Sequence, residues 1–138
     1  MITIRIGKKL KGSAILILDN HDRLLILKRS MKSHWMPGKW GLPGGKVERG
    51  ENAKGAAIRE TKEETDLNLK VPDVIHIVKH SNKTVDFFYA KNYTGEVRID
   101  FEHDDFEWIA RDEIDRYDTV PDLTEKFDWV LENERRSN

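Results

Sequence analysis

The sequence predicts a single α/β domain in which a mixed β-sheet lies between helices. Short apolar runs that are typical of strands occur before and after a segment with helical periodicity, and an amphipathic segment follows near the C-terminus. Strands that come before, between and after helices favour a sheet covered by helices on its faces. The chain of 138 residues has the length of one compact domain, so residues 1–138 are expected to fold as one unit.

The strands are predicted from apolar runs that are bounded by turn residues. The runs from Ser13 to Leu18 and from Leu24 to Leu27 flank a polar cluster at residues 19–22, and together they predict a hairpin. The remaining strand candidates are Val74–Val78, Val85–Ala90, Gly95–Asp100 and Phe106–Ala110.

Two helices are predicted. The first runs from Asn52 to Thr65, with Glu51 or Asn52 near the N-cap, and Pro72 prevents it from continuing much beyond Leu69. The second lies near the C-terminus, because apolar residues recur on one face at i, i+4, i+7 and i+8, namely Leu123, Phe127, Val130 and Leu131. A short helical turn is also expected at residues 112–115.

The composition excludes several classes of protein. The charges nearly cancel, with 24 Lys and Arg against 25 Asp and Glu, which argues against a protein that coats nucleic acid through a basic excess. The absence of cysteine excludes disulfides and thiolate metal sites. No run of about 18 apolar residues occurs, so we expect no contact with a membrane. The N-terminal stretch is too short and too charged for a signal peptide, and a cytoplasmic location is expected.

Three glutamates share one face of the first helix. At 100° per residue, Glu60, Glu63 and Glu64 fall on the side that also carries small apolar residues and that is expected to face the protein. The apolar members of that face are Ala53, Ala56, Ala57 and Leu67, and the opposite side carries Lys54, Thr61, Lys62 and Thr65.

A counter-charge is expected beside these glutamates. Carboxylates three and four positions apart repel one another, and the repulsion grows where the local dielectric constant falls. Hard oxygen ligands select a hard divalent cation, with Mg²⁺ or Mn²⁺ as the leading candidates. The alternative is a solvated acidic patch, although Lys54 and Lys62 lie on the wrong side to neutralise Glu60.

A glycine-rich loop, from Trp40 to Lys46, precedes the helix. Its paired glycines, Gly44 and Gly45, allow the backbone to approach a ligand closely and to adopt a positive φ. A carbonyl group from such a loop can complete an oxygen shell around a metal. The cationic side chains that could neutralise phosphate are Lys28, Arg29, Lys39 and Lys46. The spacing does not match a Walker loop.

Loop and helix together closely resemble the Nudix family, whose pattern is G-x(5)-E-x(7)-R-E-U-x-E-E-x-G-U, with U a bulky aliphatic residue. The segment GKVERGENAKGAAIRETKEETDL departs from the pattern at Thr61, where an aliphatic residue is usual, and at Asp66, where glycine is usual. Asp66 occupies a cap that is expected to be left-handed, so this departure spares the chemistry. The matching residues are Gly45, Glu51, Arg59, Glu60, Glu63, Glu64 and Leu67.

The resemblance implies a Nudix α/β/α sandwich that hydrolyses nucleoside diphosphates linked to another group, X. Glu60, Glu63 and Glu64 would bind the divalent metal, with the carbonyl of Gly44 nearby. Glu51 and Arg59 would pair and fix the loop onto the helix.

An acidic residue before the late Trp108 often joins the metal or activates water in this family. Glu102 is the candidate here, with Asp104 and Asp105 as rivals. The general base is left open among Glu63, Glu64 and Glu102. Each would take a proton from water as it attacks phosphorus.

The substrate end is less constrained by the sequence. Lys46, Arg29 and Lys39 are candidates for phosphate binding, and Trp40 is a candidate for stacking on a base, although tryptophans more often serve packing. Asp122 could bind a base edge or serve as an acid at a helix N-terminus. The same two alternatives, stacking and packing, apply to Trp35 and Trp108, and the five histidines show no ligand spacing.

The absence of family subgroup signals favours a nucleoside triphosphate or a related small nucleotide. An ADP-ribose or nucleotide-sugar hydrolase is an alternative, as is a Nudix domain that binds nucleotides without cutting them. An RNA 5′-pyrophosphohydrolase would need a basic groove, for which the stretches at residues 5–11 and 28–39 are the candidates. A homodimer is compatible with the sequence.

Overall fold

The computed structural model describes residues 11–137. Residues 1–10, which include most of the basic stretch at residues 5–11, lie outside the described part, as does residue 138. The strands are β1 (Gly12–Ile17), β2 (Leu24–Arg29), β3 (Trp40–Gly41), β4 (Gly44–Lys46), β5 (Ile75–His76), β6 (Val85–Ala90) and β7 (His103–Ile109). The α-helices are α1 (Ala53–Thr65) and α2 (Leu123–Ser137), and 3₁₀ turns occupy Val71–Asp73, Val78–His80 and Arg111–Arg116.

The strands form two sheets between the two helices. One sheet has the order β4-β1-β6-β5 and is mixed, because β1 runs parallel to β6 and antiparallel to β4. The other has the order β3-β2-β7 and is antiparallel. The predicted architecture, with a mixed sheet between helices, is confirmed.

The central strands β1 and β2 are buried on both faces. In β1, Ile15 and Ile17 belong to the apolar cluster that includes Ala57 of α1, whereas Leu16 lies in the cluster that includes Phe127 of α2. Side chains alternate between the two faces of a strand, and both faces are covered by a helix. These strands therefore appear in the sequence as continuous apolar runs rather than as alternating patterns.

The predicted hairpin between β1 and β2 is wrong in its pairing. Only one bridge, between Leu18 and Leu24, joins the two chain segments, and the strands then enter different sheets. The turn is present, since the carboxylate of Asp19 accepts hydrogen bonds from the backbone N–H groups of His21 and Arg23. The strands cannot extend their ladder, because β1 already pairs with β4 and β6 and β2 pairs with β3 and β7.

Two other strand predictions need correction. Residues 95–100, expected to form a strand, have no regular secondary structure, and their backbone instead hydrogen-bonds the end of α1. The run from Val74 to Val78 contains only the two-residue strand β5. The predicted strand at Val85–Ala90 and both α-helices are confirmed.

Helix α1 begins and ends as its cap residues dictate. The side chain of Asn52 accepts a hydrogen bond from the Gly55 N–H at 2.7 Å, which makes Asn52 the N-cap. At the other end, Asp66 adopts a left-handed conformation with φ 64° and donates its N–H to the carbonyl of Lys62. The expected left-handed cap at Asp66 is confirmed.

The face that α1 buries differs from the predicted one. Thr61 and Thr65, expected on the outer side, are fully buried, while Glu63 is exposed. The Thr65 hydroxyl donates to the Thr61 carbonyl at 2.6 Å, so a small polar residue is satisfied within the helix itself. The inward stripe is therefore Ala57, Thr61, Glu64 and Thr65, rotated from the predicted stripe toward the threonines.

Among residues 11–137, neither α-helix combines the length and the apolar content that crossing a membrane requires.

Candidate active site

An acidic cleft opens where the glycine loop, helix α1 and the segment before β7 meet. It has a volume of about 710 Å³. Gly44 and Gly45 line it from β4, Glu60 and Glu64 line it from α1, and Glu102 lines it from the segment before β7. Residues that are distant in the sequence thus contribute these three carboxylates, together with that of Glu48, to one cavity.

Glu64 is nearly enclosed within this acidic cleft, with 5% of its surface exposed. Its Oε1 accepts a hydrogen bond from the Gly44 N–H at 2.9 Å. Burial raises the pKa of Glu64 to about 9; the hydrogen bond from Gly44 opposes this rise, and repulsion from Glu60, Asp100 and Glu102 adds to it. A carboxylate in such surroundings holds either a proton or a cation, which makes Glu64 a suitable metal ligand.

Glu60 lies on the same side of the cleft and is also largely buried. Burial raises the pKa of Glu60; attraction by Arg59 opposes this rise, whereas repulsion from Glu63 and Glu102 supports it. Gly45 packs directly against Glu60, and a side-chain carbon at Gly45 would collide with the carboxylate. Neither glycine of the pair has a positive φ, so close packing, rather than backbone freedom, is what requires glycine here.

Arg59 connects the glycine loop to the helix. Its guanidinium donates to both carboxylate oxygens of Glu51, at 2.8 and 3.1 Å, and to the carbonyl of Lys46 at 3.0 Å. The hydrogen bond from Arg59 lowers the pKa of Glu51. A bidentate pair of this kind fixes both partners. The pairing expected of Glu51 and Arg59 is therefore present, and it holds β4 against α1.

Glu63 does not line the acidic cleft. Its side chain is 55% exposed and lies 3.2 Å from the guanidinium of Arg59. The rotation of α1 toward its threonines leaves Glu63 at the edge of the buried face. Placing Glu60, Glu63 and Glu64 together on the inward side is therefore wrong for Glu63, whose role as a metal ligand stays a prediction.

Glu102 lies at the mouth of the cleft, exposed to solvent. Its carbonyl accepts a hydrogen bond from the Ser30 N–H at 3.0 Å, which ties this segment to the end of β2. The rivals Asp104 and Asp105 are exposed on β7 and are not among the residues that line the cleft. Of the three acids considered, Glu102 alone lines the cleft, and its role in the reaction stays a prediction.

Two of the predicted phosphate-binding residues line the acidic cleft, Arg29 and Lys46. Arg29 also builds the wall, because its guanidinium donates to the carbonyl of Trp35 and to the hydroxyl of Ser33, both at 2.7 Å. Lys46 is exposed, and no ion pair of its side chain occurs among residues 11–137. Basic side chains therefore line one side of the acidic cleft.

The tryptophans divide into packing residues and one exposed residue. Trp40 packs edge-on against Tyr117 with ring centroids 5.1 Å apart, and Trp108 stacks on Tyr93 at 5.6 Å. Trp35 lines the cleft and is 55% exposed, with the Arg29 guanidinium 4.9 Å above its ring. Trp35, rather than the predicted Trp40, lines the cleft.

Two further substrate candidates lie outside the set of residues that line the cleft. Lys39 pairs with Asp118 at 2.7 Å. Asp122 is exposed just before α2, with φ 65°, and its carbonyl accepts a hydrogen bond from Lys126. The structure does not bring these residues to the glutamates, and their contacts with substrate, like that of Trp40, stay predictions.

The sequence analysis missed Asp100 and His103. A ring nitrogen of His103, Nδ1, lies 2.8 Å from Asp100 Oδ1, and both residues have ligand atoms close to those of Glu64. The signal was present in the chain, since this histidine directly follows Glu102 and lies three residues after Asp100. Spacing among the five histidines does not reveal this signal, which depends on the acidic residues next to His103.

Comparison with known proteins identifies the family of this chain. Residues 8–130 match the model of the NUDIX domain family. The 8-oxo-dGTP diphosphatase of Proteus vulgaris is 34% identical over 94 residues, which cover 65% of this chain and 83% of that protein. The asymmetrical bis(5′-nucleosyl)-tetraphosphatase of Mus musculus is 32% identical over 90 residues, which cover 58% of each chain.

Solved structures are similar over nearly the whole chain. The crystal structure of a MutT protein from Methanosarcina mazei Go1 superposes with a TM-score of 0.70 at 27% identity, covering 91% of this chain and 97% of that one. The chain therefore belongs to the Nudix family and is a pyrophosphohydrolase of the MutT-like kind.

Proposed function

We propose that this protein hydrolyses a phosphoanhydride bond in a nucleoside triphosphate or a related small nucleotide, with Mg²⁺ or Mn²⁺ as the cofactor. The observation that carries the proposal is the pair of buried carboxylates, Glu60 and Glu64, on the floor of an open cleft. Burial raises the pKa of both groups. Arg59 partly neutralises Glu60, with its Nη1 3.2 Å from Oε2, whereas no ion pair of Glu64 occurs among residues 11–137, and a buried acid of this kind is typical of a functional site.

The donor set in the cleft fits a divalent cation. Glu60 and Glu64 supply carboxylate oxygens, and Gly44 is held beside Glu64 by its N–H. Oxygen ligands of this kind are those that Mg²⁺ and Mn²⁺ prefer. When bound, the cation supplies charge neutralisation for the phosphates and lowers the pKa of the attacking water.

The remaining side chains of the cleft have separate tasks. Arg29 and Lys46 lie on the basic side, where they bind phosphate oxygens and orient the chain of phosphates. Glu102 is exposed at the cleft mouth, where its carboxylate can take the proton of the attacking water. The exposed ring of Trp35 is available for stacking on a nucleobase.

The relatives support a small nucleotide as the substrate. The bacterial relative named for 8-oxo-dGTP is matched over 83% of its length, whereas the mammalian tetraphosphatase is matched over 58%. The cationic side chains that line the acidic cleft, Arg29, Lys32 and Lys46, suit the phosphates of a small nucleotide. We therefore assign nucleoside triphosphates as the first class to test.

A panel of nucleotides with Mg²⁺, followed by chromatography of the products, tests this proposal. A nucleoside monophosphate together with pyrophosphate is the expected result for triphosphates. A monophosphate together with a phosphorylated sugar would instead indicate ADP-ribose or a nucleotide sugar. Steep loss of activity on triphosphorylated RNA with added salt would indicate an RNA 5′-end substrate. Binding without any product after long incubation would contradict hydrolysis.

Variants of the helix glutamates test the mechanism. Glu64→Gln and Glu63→Gln are each expected to lower kcat at least a hundredfold, with retained fold, because Glu64 lies in the cleft and Glu63 is a predicted metal ligand. Wild-type turnover in either purified variant would remove that residue from the mechanism. The Glu63 variant is the more informative test, since the Glu63 carboxylate must break its ion pair with Arg59 before it can bind a metal in the cleft.

A further inference from the structure

A short segment between the end of α1 and β7 places two further ligand-type residues beside Glu64. The Arg98 N–H donates to the Thr65 carbonyl at 2.8 Å, and the Asp100 N–H donates to the Glu64 carbonyl at 3.3 Å. The segment then turns, with the His103 N–H donating to the Asp100 carbonyl at 3.3 Å. Backbone hydrogen bonds therefore hold the side chains of Asp100 and His103 at the C-terminal end of the helix that carries Glu64.

The side chain of His103 is buried, with 4% of its surface exposed, although it lines the acidic cleft. Its Nδ1 lies 2.8 Å from Asp100 Oδ1, and this is the one hydrogen bond of the ring found among residues 11–137. One ring nitrogen is thus oriented by a carboxylate while the other has no such partner. The hydrogen bond brings a carboxylate oxygen and a ring nitrogen to the same place, and a cation bound there would replace the shared hydrogen.

The spacing of the three side chains suits one ion. Ligand atoms of Glu64, Asp100 and His103 all lie within 4.8 Å of one another. Bonds of about 2.0–2.3 Å from one ion place its ligands about 3–4.5 Å apart. Small side-chain rotations are therefore enough to close the set around a cation.

We propose that Glu64, Asp100 and His103 form a divalent metal site in which an imidazole nitrogen of His103 is a ligand, and that this site favours a first-row transition ion such as Mn²⁺ over Mg²⁺. Imidazole suits transition ions, whereas Mg²⁺ prefers an all-oxygen shell and retains its water. The proposal adds donors to the helix glutamates that the Nudix pattern supplies. It rests on the proposed function only in placing a metal in this cleft.

Pulsed electron paramagnetic resonance of Mn²⁺ bound to the metal-free wild-type protein is the direct test. Coupling of the manganese electrons to a ¹⁴N nucleus is expected, because nitrogen is bound directly. Absence of that coupling in protein that has bound Mn²⁺ would overturn the proposal. This readout needs neither a variant nor any catalytic activity.

Titration of Mn²⁺ and Mg²⁺ into His103→Asn gives the second readout. Asparagine retains a donor that can reach Asp100 but lacks the imidazole, so the Kd for Mn²⁺ is expected to rise at least tenfold, while the Kd for Mg²⁺ changes less than threefold. His76→Asn is the matched control, because His76 also pairs with an aspartate, Asp86 at 3.4 Å, but lies on β5 outside the cleft. Equal Mn²⁺ binding by His103→Asn and the wild type would overturn the proposal.

The two proposals fail separately. Nucleotide hydrolysis without ¹⁴N coupling would leave the proposed function standing and remove His103 from the metal. Coupling to ¹⁴N without hydrolysis of any nucleotide would support His103 as a metal ligand and contradict the proposed function.

Discussion

Replacing Glu64 with glutamine is expected to stabilise the metal-free protein near pH 8. Burial raises the pKa of Glu64 to about 9 from an ordinary value of 4.5. The folded chain therefore holds this proton over a pH range in which the unfolded chain has released it. Because the folded-state pKa is the higher one, the stabilising contribution is complete below about pH 4.5 and is lost as the pH rises toward 9.

The size of the effect follows from the pKa difference. One pKa unit corresponds to about 1.4 kcal/mol, so a rise of roughly 3.5 units from the ordinary value to pH 8 sets a ceiling of about 5 kcal/mol. Relaxation of the cleft and entry of water reduce this penalty, and we expect a gain of roughly 1–3 kcal/mol for Glu64→Gln at pH 8. Glutamine keeps the oxygen that accepts the Gly44 N–H at 2.9 Å, so packing and the local hydrogen bond are retained.

Urea denaturation in the presence of a chelator, at pH 5 and at pH 8, measures the difference. Wild type and Glu64→Gln are expected to be nearly equal at pH 5, with the variant more stable at pH 8. Glu63→Gln is the matched control, because it removes a carboxylate that is 55% exposed on the same helix and should change the free energy of unfolding by no more than about 0.5 kcal/mol. Equal pH dependence of Glu64→Gln and wild type would refute the reasoning.

Three other substitutions test the surroundings of the cleft. Thr61→Val should raise the free energy of unfolding by about 1 kcal/mol, since the buried Thr61 hydroxyl oxygen has no hydrogen-bond partner. A variant that is less stable than the wild type in urea denaturation would contradict this. Asp66→Gly should raise the Tm slightly and leave turnover unchanged. Glycine relieves the backbone strain of the left-handed conformation at φ 64°, and this outweighs loss of the exposed ion pair with Lys62. A clear fall in Tm would show that Asp66 is not a strained helix cap. Gly45→Ala should lower kcat at least tenfold in a folded protein, because the added methyl group displaces the Glu60 carboxylate; normal turnover with intact circular dichroism would show that the glycine is dispensable.

Local patterns predicted the helices and the central strands because the physics behind them is local. The N-cap at Asn52, the left-handed residue at Asp66 and the apolar face of α2 each depend on residues within a few positions. The Glu51–Arg59 pair came from the resemblance to the family and is present in the structure.

The errors arose where partners distant in the sequence decide the outcome. The sequence predicts a hairpin because the turn between β1 and β2 depends on neighbouring residues. The strands that actually pair with β1 and β2 come from elsewhere in the chain, namely β4 and β6 for β1 and β3 and β7 for β2. A helical wheel gives the spacing of α1 but not its rotation, and the tight packing of α1 against β1 and β4 favoured burial of the small Thr61 over the longer Glu63.

The cleft itself was only partly predictable for the same reason. Gly44, Glu60 and Glu64 lie within one motif, whereas Asp100, from a segment expected to be a strand, reaches the site through backbone hydrogen bonds that no local pattern encodes. Trp40 begins the glycine-rich loop in the sequence, but Trp35 is the tryptophan that lines the cleft, since folding rather than sequence proximity decides which ring reaches it.

The central claim is that a divalent cation binds between the buried carboxylates of Glu60 and Glu64. Calorimetric titration of Mg²⁺ and of Mn²⁺ into the metal-free protein at pH 8, for wild type and for the double variant Glu60→Gln/Glu64→Gln, tests this most directly. The wild type is expected to bind either ion saturably, with a Kd at or below the millimolar range, and the folded double variant is expected to bind it at least tenfold more weakly. Equal uptake by both proteins, or none by the wild type at millimolar concentrations of either ion, would contradict it.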